Sequence, residues 1–107
     1  MPGTYTFTAP VLLHDGPAAW HFVVLPPAQA REIRMVTAGA TGRGWGSIRV
    51  QATIGATTWA TSIFPEKARG SYLLPVKAEV RRAEGLTDGR QVRVTLVLPG
   101  AEAAGGA

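Results

Sequence analysis

Lys77 and Arg81 stand four residues apart in the segment LPVKAEVR. On a helix that spacing puts both cations on one face, where they repel by some tenths of a kcal/mol unless something anionic lies between them. The chemistry on offer is anion or acidic-ligand binding, with Lys67 and Tyr72 arriving from the preceding loop. The alternative is that each cation pairs with an acid of the fold, Glu84 beside Arg81 being the nearest. Trp20, Trp45 and Trp59 form a second group. Tryptophan is often a core residue, but Trp45 shares the strand parity of Ser47 and Arg49. An indole beside arginines can stack on a planar ligand or a base; otherwise it packs under the glycine-rich loop or the tail. Trp59 and Ser62 complete the candidate ligand-binding set.

Other chemistry is thinly supplied. His14 beside Asp15, and His21 on the opposite strand parity from Trp20, have no carboxylate at ligand spacing and make a poor metal site. Ser62 with a distant histidine is no triad without geometry. Glu66, Glu79 and Glu84 lie amid basic residues, as halves of surface ion pairs do. Gly42-Arg43-Gly44 matches neither phosphate-binding fingerprint, because no lysine–serine pair follows and the next element is a strand. The residues nominate no catalytic set and no cofactor.

The elements that must position these side chains read as follows. Residues 4–13 alternate Tyr5, Phe7, Ala9, Val11 and Leu13 against Thr4, Thr6 and Thr8, the pattern of a half-buried strand. After the Asp15-Gly16-Pro17 turn, Trp20, Phe22 and Val24 mark a strand over 18–25. A helix is predicted over 27–38, with Ala30, Ile33, Met35 and Val36 on its apolar side, and a glycine-rich loop from Gly39 to Gly46. Strands over 45–54 and 57–64 flank Gly55-Ala56, a tight hairpin. Ile48, Val50, Ala52 and Ile54 take the buried face of the first. A polar loop over 65–70 leads to an extended segment at 71–74. Pro75 suits the first position of a helix over 76–84, whose stripe is Val76, Val80 and Ala83. Gly85 closes it, Leu86 folds back, and Thr87-Asp88-Gly89 turns into a strand over 91–98 with Val92, Val94, Leu96 and Leu98 inward.

Six short strands and two short helices have too few long crossovers for a parallel sheet. The expected fold is mainly β: a small split or closed antiparallel barrel, closure being the way to remove exposed edges. The 107-residue chain makes one domain over 1–98, and residues 99–107, PGAEAAGGA, lack apolar anchors and form a disordered tail. The formal charge of +4 comes from eleven basic and seven acidic residues. Nine of the eleven are arginine, which suits a GC-rich bacterial genome as well as an anionic partner. With no cysteine, disulfides and thiol chemistry are excluded, and a reducing cytoplasm fits. Met1-Pro2-Gly3-Thr4 opens no secretory leader, and no run approaches the roughly 18 apolar residues of a membrane span.

From Trp45 onward the motifs WGSIRV, TSIFP and LPVKAEVR, with a glycine at 89, resemble DUF1905, a family of short bacterial β-barrel domains of unknown function. Members occur alone or fused to a bacteriocin-protection-type domain. The resemblance, over roughly residues 5–98, implies a split barrel related to the AbrB-like regulators and no established activity. Those regulators are about half this length and complete their barrel by dimerising, whereas this chain has strands enough to close alone, which argues against DNA binding. The expected function is a non-catalytic binding domain, monomeric or homodimeric, for an anionic small molecule or an acidic protein surface. Nucleic-acid binding is the alternative. A small enzyme of a biosynthetic or modification pathway, using Lys77, Tyr72 and Ser62, is the third reading.

Overall fold

The computed structural model describes residues 3–14, 16, 20–41 and 46–99. Seven strands and two α-helices follow in the order β1 (Thr4–Pro10), β2 (Leu12–His14), β3 (Trp20–Val24), α1 (Pro27–Thr41), β4 (Ile48–Ile54), β5 (Thr57–Glu66), β6 (Ser71–Pro75), α2 (Ala78–Glu84) and β7 (Gln91–Val97). A 3-10 turn, Lys67–Arg69, separates β5 from β6.

The strands lie in the order β1-β7-β4-β5-β6-β3-β2, and every neighbouring pair is antiparallel. The two outermost strands are consecutive in the chain and separated by Val11 alone. A single residue spans only about 7 Å between its neighbours' α-carbons, so the sheet must curl until its edges meet at that corner. The Val11 N–H donates to the Arg90 carbonyl at 2.9 Å, and the Gly89 N–H donates to the Val11 carbonyl at 2.7 Å. The corner is thereby tied to the turn ahead of β7. The result is a curled half-barrel, mainly β as expected.

The predicted first strand is thus two. Its alternation holds through Val11, which is fully buried, but Leu13 is 39% exposed because β2 pairs with β3 on the opposite edge. On β3 the buried residues are Phe22 and Val23, and Trp20 is 37% exposed. Ala30 and Ile33 of α1 are buried as predicted, whereas Met35, at 67%, and Val36 are exposed: they turn off the stripe that faces β6. The helix continues through Thr41, into residues predicted as glycine loop; positions 42–45, and with them Trp45, lie outside the described residues. So do Asp15, Pro17 and residues 100–107 of the expected tail.

On β4 Val50, Ala52 and Ile54 are buried and Ile48 is half-buried against them. Gly55 makes its hairpin turn at φ +60°, and β5 extends past its predicted end through Pro65 to Glu66. Pro65 is tolerated there because β5 pairs with β6 at that end and with β4 only as far as Ile63. Pro75 closes β6 opposite Phe22 instead of opening the helix. The Val76 N–H bonds the His21 carbonyl, and Lys77 is the extended N-cap of α2, so the helix begins at Ala78. Val80 is its buried residue, and Ala83 faces solvent. Gly85 at φ +64° caps it, with the Leu86 N–H returning to the Arg81 carbonyl. In β7 Val92, Val94 and Leu96 are buried as predicted. β6 and β7 are not neighbours; α2 carries the chain past β5 and β4.

Candidate functional site

Helix α1 begins where Pro26 and Pro27 set helical φ, and the Ala30 N–H closes the first turn on the Pro26 carbonyl at 3.0 Å. Burying Ala30 and Ile33 turns the next stripe outward. That stripe carries Pro27, Arg31 and Arg34, spaced i, i+4 and i+7. Opposite it stands Gly70, left-handed at φ +63°, where the 3-10 turn ends and β6 starts. These four residues line a half-open cleft of about 310 Å³. The space around position 70 is open, with nothing within 4 Å of where a β-carbon would stand.

Two residues further, Tyr72 is fully buried. Burial pushes its phenol above the ordinary 10.0, and the positive charge of Arg34 pulls part of the way back. The guanidinium of Arg34 is therefore electrostatically coupled to a neutral phenol beside the cleft. Ser71 is buried next to Tyr72 and donates from Oγ to the Leu25 carbonyl at 2.6 Å, which fastens β6 to the entry of α1. Leu25 reciprocates with an N–H bond to the Tyr72 carbonyl at 3.0 Å. These two bonds join the segments that carry the walls of the cleft. The 3-10 turn adds the exposed Lys67 and Arg69, the latter with its guanidinium 5.7 Å from the centre of the Phe22 ring.

The other residues singled out in the sequence go elsewhere. Lys77, outside the helix proper, makes a solvent-exposed ion pair with Glu79 at 3.7 Å. The Arg81 Nε–H donates to the Val76 carbonyl at 3.2 Å. The two cations do not share a helical face, and Glu84 is not Arg81's partner. Its carboxylate reaches the β4–β5 hairpin, accepting from Thr57 Oγ1 at 2.6 Å and from the Ala56 N–H at 3.2 Å. Trp59 is a core residue opposite Ala52. Ser62 sits on the outer face of β5, where its Oγ accepts from Arg49 Nη1 at 3.5 Å, a cation and not a general base. The His14 ring packs on Trp20 at 5.7 Å, and His21 buries Nδ1 with no hydrogen-bond partner. Among the described residues no cluster of three metal-ligating side chains occurs.

None of the expected set lines the cleft; Tyr72 and Lys67 lie two and three residues from Gly70 along the chain. Arg31, Arg34 and Arg69 are outside the expected set, Arg34 being expected only among the arginines that would track phosphates if the protein bound nucleic acid. The stripe Pro27-Arg31-Arg34 is visible at helical spacing, but its partner Gly70 lies 36 positions beyond Arg34 and only the fold joins them.

A curled antiparallel half-barrel with a helix packed on β6 and a half-open basic cleft between that helix and Gly70 defines a small mainly-β domain. The chain belongs to the DUF1905 family: the family model, described as a domain of unknown function, matches residues 7–96. Compared with curated proteins it shows no significant match. No helix among the described residues is long and apolar enough to cross a membrane.

Proposed function

We propose that this protein is a non-catalytic binding domain whose anion site is the cleft between α1 and Gly70. The observation that carries the reading is the alignment of Arg31 and Arg34 along one wall, opposite a glycine that leaves room for a ligand. Arginine presents a planar fork of donors that matches carboxylate and phosphate oxygens in pairs. Two such forks three residues apart along one wall of the cleft can meet the oxygens of a single anion together. The preferred ligand is a small molecule carrying a phosphate or carboxylate, because a cleft of about 310 Å³ is at the small end of the range for small-molecule sites. An acidic protein side chain would use the same forks. The cysteine-free, arginine-rich composition supports a bacterial cytoplasmic setting.

Titrating inorganic pyrophosphate and citrate into the protein, followed by amide chemical shifts, tests this. Perturbations should centre on residues 27–34 and 70. Arg31→Ala with Arg34→Ala should abolish them while the remaining amide resonances keep their folded dispersion. Shifts that centre on α2, and vanish in Lys77→Ala with Arg81→Ala, would move the site there and refute the cleft. An absence of any saturable shift would refute the reading as a whole.

A further inference from the structure

The outward face of β2, β3, β6 and β5 is unlike the rest of the sheet. Cross-strand register lines up His14 with Trp20, Phe22 with Pro75, and Val24 with Leu73 and Phe64, all on one side. On the outward side of β1, β7 and β4 the same positions are mostly threonines, glutamines and arginines, with Pro10 and Val97 the apolar exceptions, and Thr6 bonds Thr95 and Thr53 bonds Thr58 through their hydroxyls. One half of the outer sheet is therefore polar and the other is a shelf of rings and aliphatics.

The rings on that shelf are interleaved with cations. His14 packs on Trp20 at 5.7 Å, Trp20 on Phe22 at 4.9 Å, and the Arg69 guanidinium lies 5.7 Å from the Phe22 centroid. Trp20 is 37% and Phe64 46% exposed. Two residues before Phe64 on the same strand face, Ser62 holds the guanidinium of Arg49. From strand rise and spacing, Trp20 and Phe64 stand roughly 16 Å apart, with Arg69 on the Phe22 ring next to Trp20 and Arg49 bonded to Ser62 two residues before Phe64. The four strands carry a single acid, Glu66, at the end of β5.

We propose that this face is a stacking platform for single-stranded nucleic acid. Exposed rings accept unstacked bases on their flat sides without regard to sequence, and arginines between them meet the phosphates. Arg69 can do both, with one face on Phe22 and its N–H edge free to turn outward. Charge complementarity selects this partner: rings flanked by arginines, on strands bearing one acid in a chain of formal charge +4, suit a polyanion with planar groups. A duplex hides its base faces and would meet only the arginines. This platform is independent of the cleft, and either can stand without the other.

The test is fluorescence anisotropy with labelled single-stranded DNA and RNA of about 15 nucleotides, and with the matching duplex, at about 50 and 200 mM salt. Single strands should bind several-fold more tightly than duplex, with affinity falling as salt rises. Trp20→Ala and Phe64→Ala should each weaken binding about fivefold or more, and Trp20→Phe should restore most of the loss. Arg69→Ala should weaken it and reduce the log–log salt slope by about one. Thermal melts that show each variant folded at the assay temperature separate lost binding from lost folding. Arg31→Ala with Arg34→Ala should leave the preference for single strands in place. Equal binding of duplex and single strand, or binding indifferent to both ring substitutions, would overturn the platform. So would absence of binding at the lower salt, or Trp20-dependent binding of polyglutamate in place of the oligonucleotides, which would make the partner an acidic polypeptide.

Discussion

The two tyrosines report directly on the interior of this protein, because the chain has no others. Burial raises the phenol pKa of both above 10.0; at Tyr5 the negative charge of Glu32 adds to the effect and the Gly3 backbone opposes it, while at Tyr72 Arg34 opposes it. The folded state therefore holds its phenols neutral at a pH where the unfolded chain begins to ionise. Below about pH 10 this leaves stability unchanged. Above it the unfolded state binds fewer protons than the folded one, so stability falls as pH rises toward the folded pKa values. Tyrosinate absorbance should appear above its ordinary range in the native protein and return to that range in denaturant. Arg34→Ala should push the Tyr72 transition further up, since it removes a positive charge that favours the phenolate there. Normal titration of both tyrosines in the native state would contradict the burial described here.

At the scale of elements, α2 and the β4–β5 hairpin are held together through one carboxylate. Glu84 accepts from Thr57 Oγ1 and the Ala56 N–H, and it sits so close to Gly55 that a β-carbon there would collide with the carboxylate. Gly55 thus serves twice, once for its φ of +60° and once for the approach of Glu84. Glu84→Ala should cost about 1.5–3 kcal/mol, the range for hydrogen bonds to a charged group. Gly55→Ala should cost more in the parent than in the Glu84→Ala background, where only the left-handed strain of about 1 kcal/mol remains. Denaturant melts of the four proteins measure that coupling. Strict additivity would show that the carboxylate does not rest on the turn.

The whole molecule depends on one corner. Val11 joins the two edge strands, is fully buried, and uses both backbone polar groups on the segment Gly89–Arg90. Breaking either bond would open the sheet at the one place where its edges meet. Along the rest of the seam α1 assists, with Gln29 Nε2 donating to the Thr6 carbonyl on β1 at 3.0 Å and with its buried stripe against β6. Native-state hydrogen exchange should place the Val11 and Gly89 amides among the slowest, exchanging only with global unfolding. Amides of β2, a three-residue edge strand with only β3 beside it, should exchange by local opening. Fast exchange at Val11 would mean that the corner frays and the half-barrel is held by its interior pairs alone.

The strands that pair locally or alternate cleanly were legible from the residues themselves. Period-two burial in β4 and β7, the Gly55 hairpin, the Gly85 cap and the turn at Gly89 each follow from steric preferences confined to a few neighbours. The antiparallel, mainly-β architecture followed from the shortness of the elements and the lack of long crossovers. What the residues could not settle was which edge lies near which. Leu13 alternates in step with Val11, yet it faces solvent because the chain changes sheet edge between them. Lys77 and Arg81 have helical spacing, yet Pro75 stays in β6 opposite Phe22 and leaves Lys77 outside the helix. Glu84 stands three residues from Arg81, yet it bonds a hairpin 27 positions away. The cleft and the aromatic shelf are likewise built from segments far apart in the chain, Arg31 with Gly70 and Trp20 with Phe64. Side-chain type and spacing act over one or two turns of chain, whereas those encounters are decided by the curl that packing one core imposes on the whole sheet.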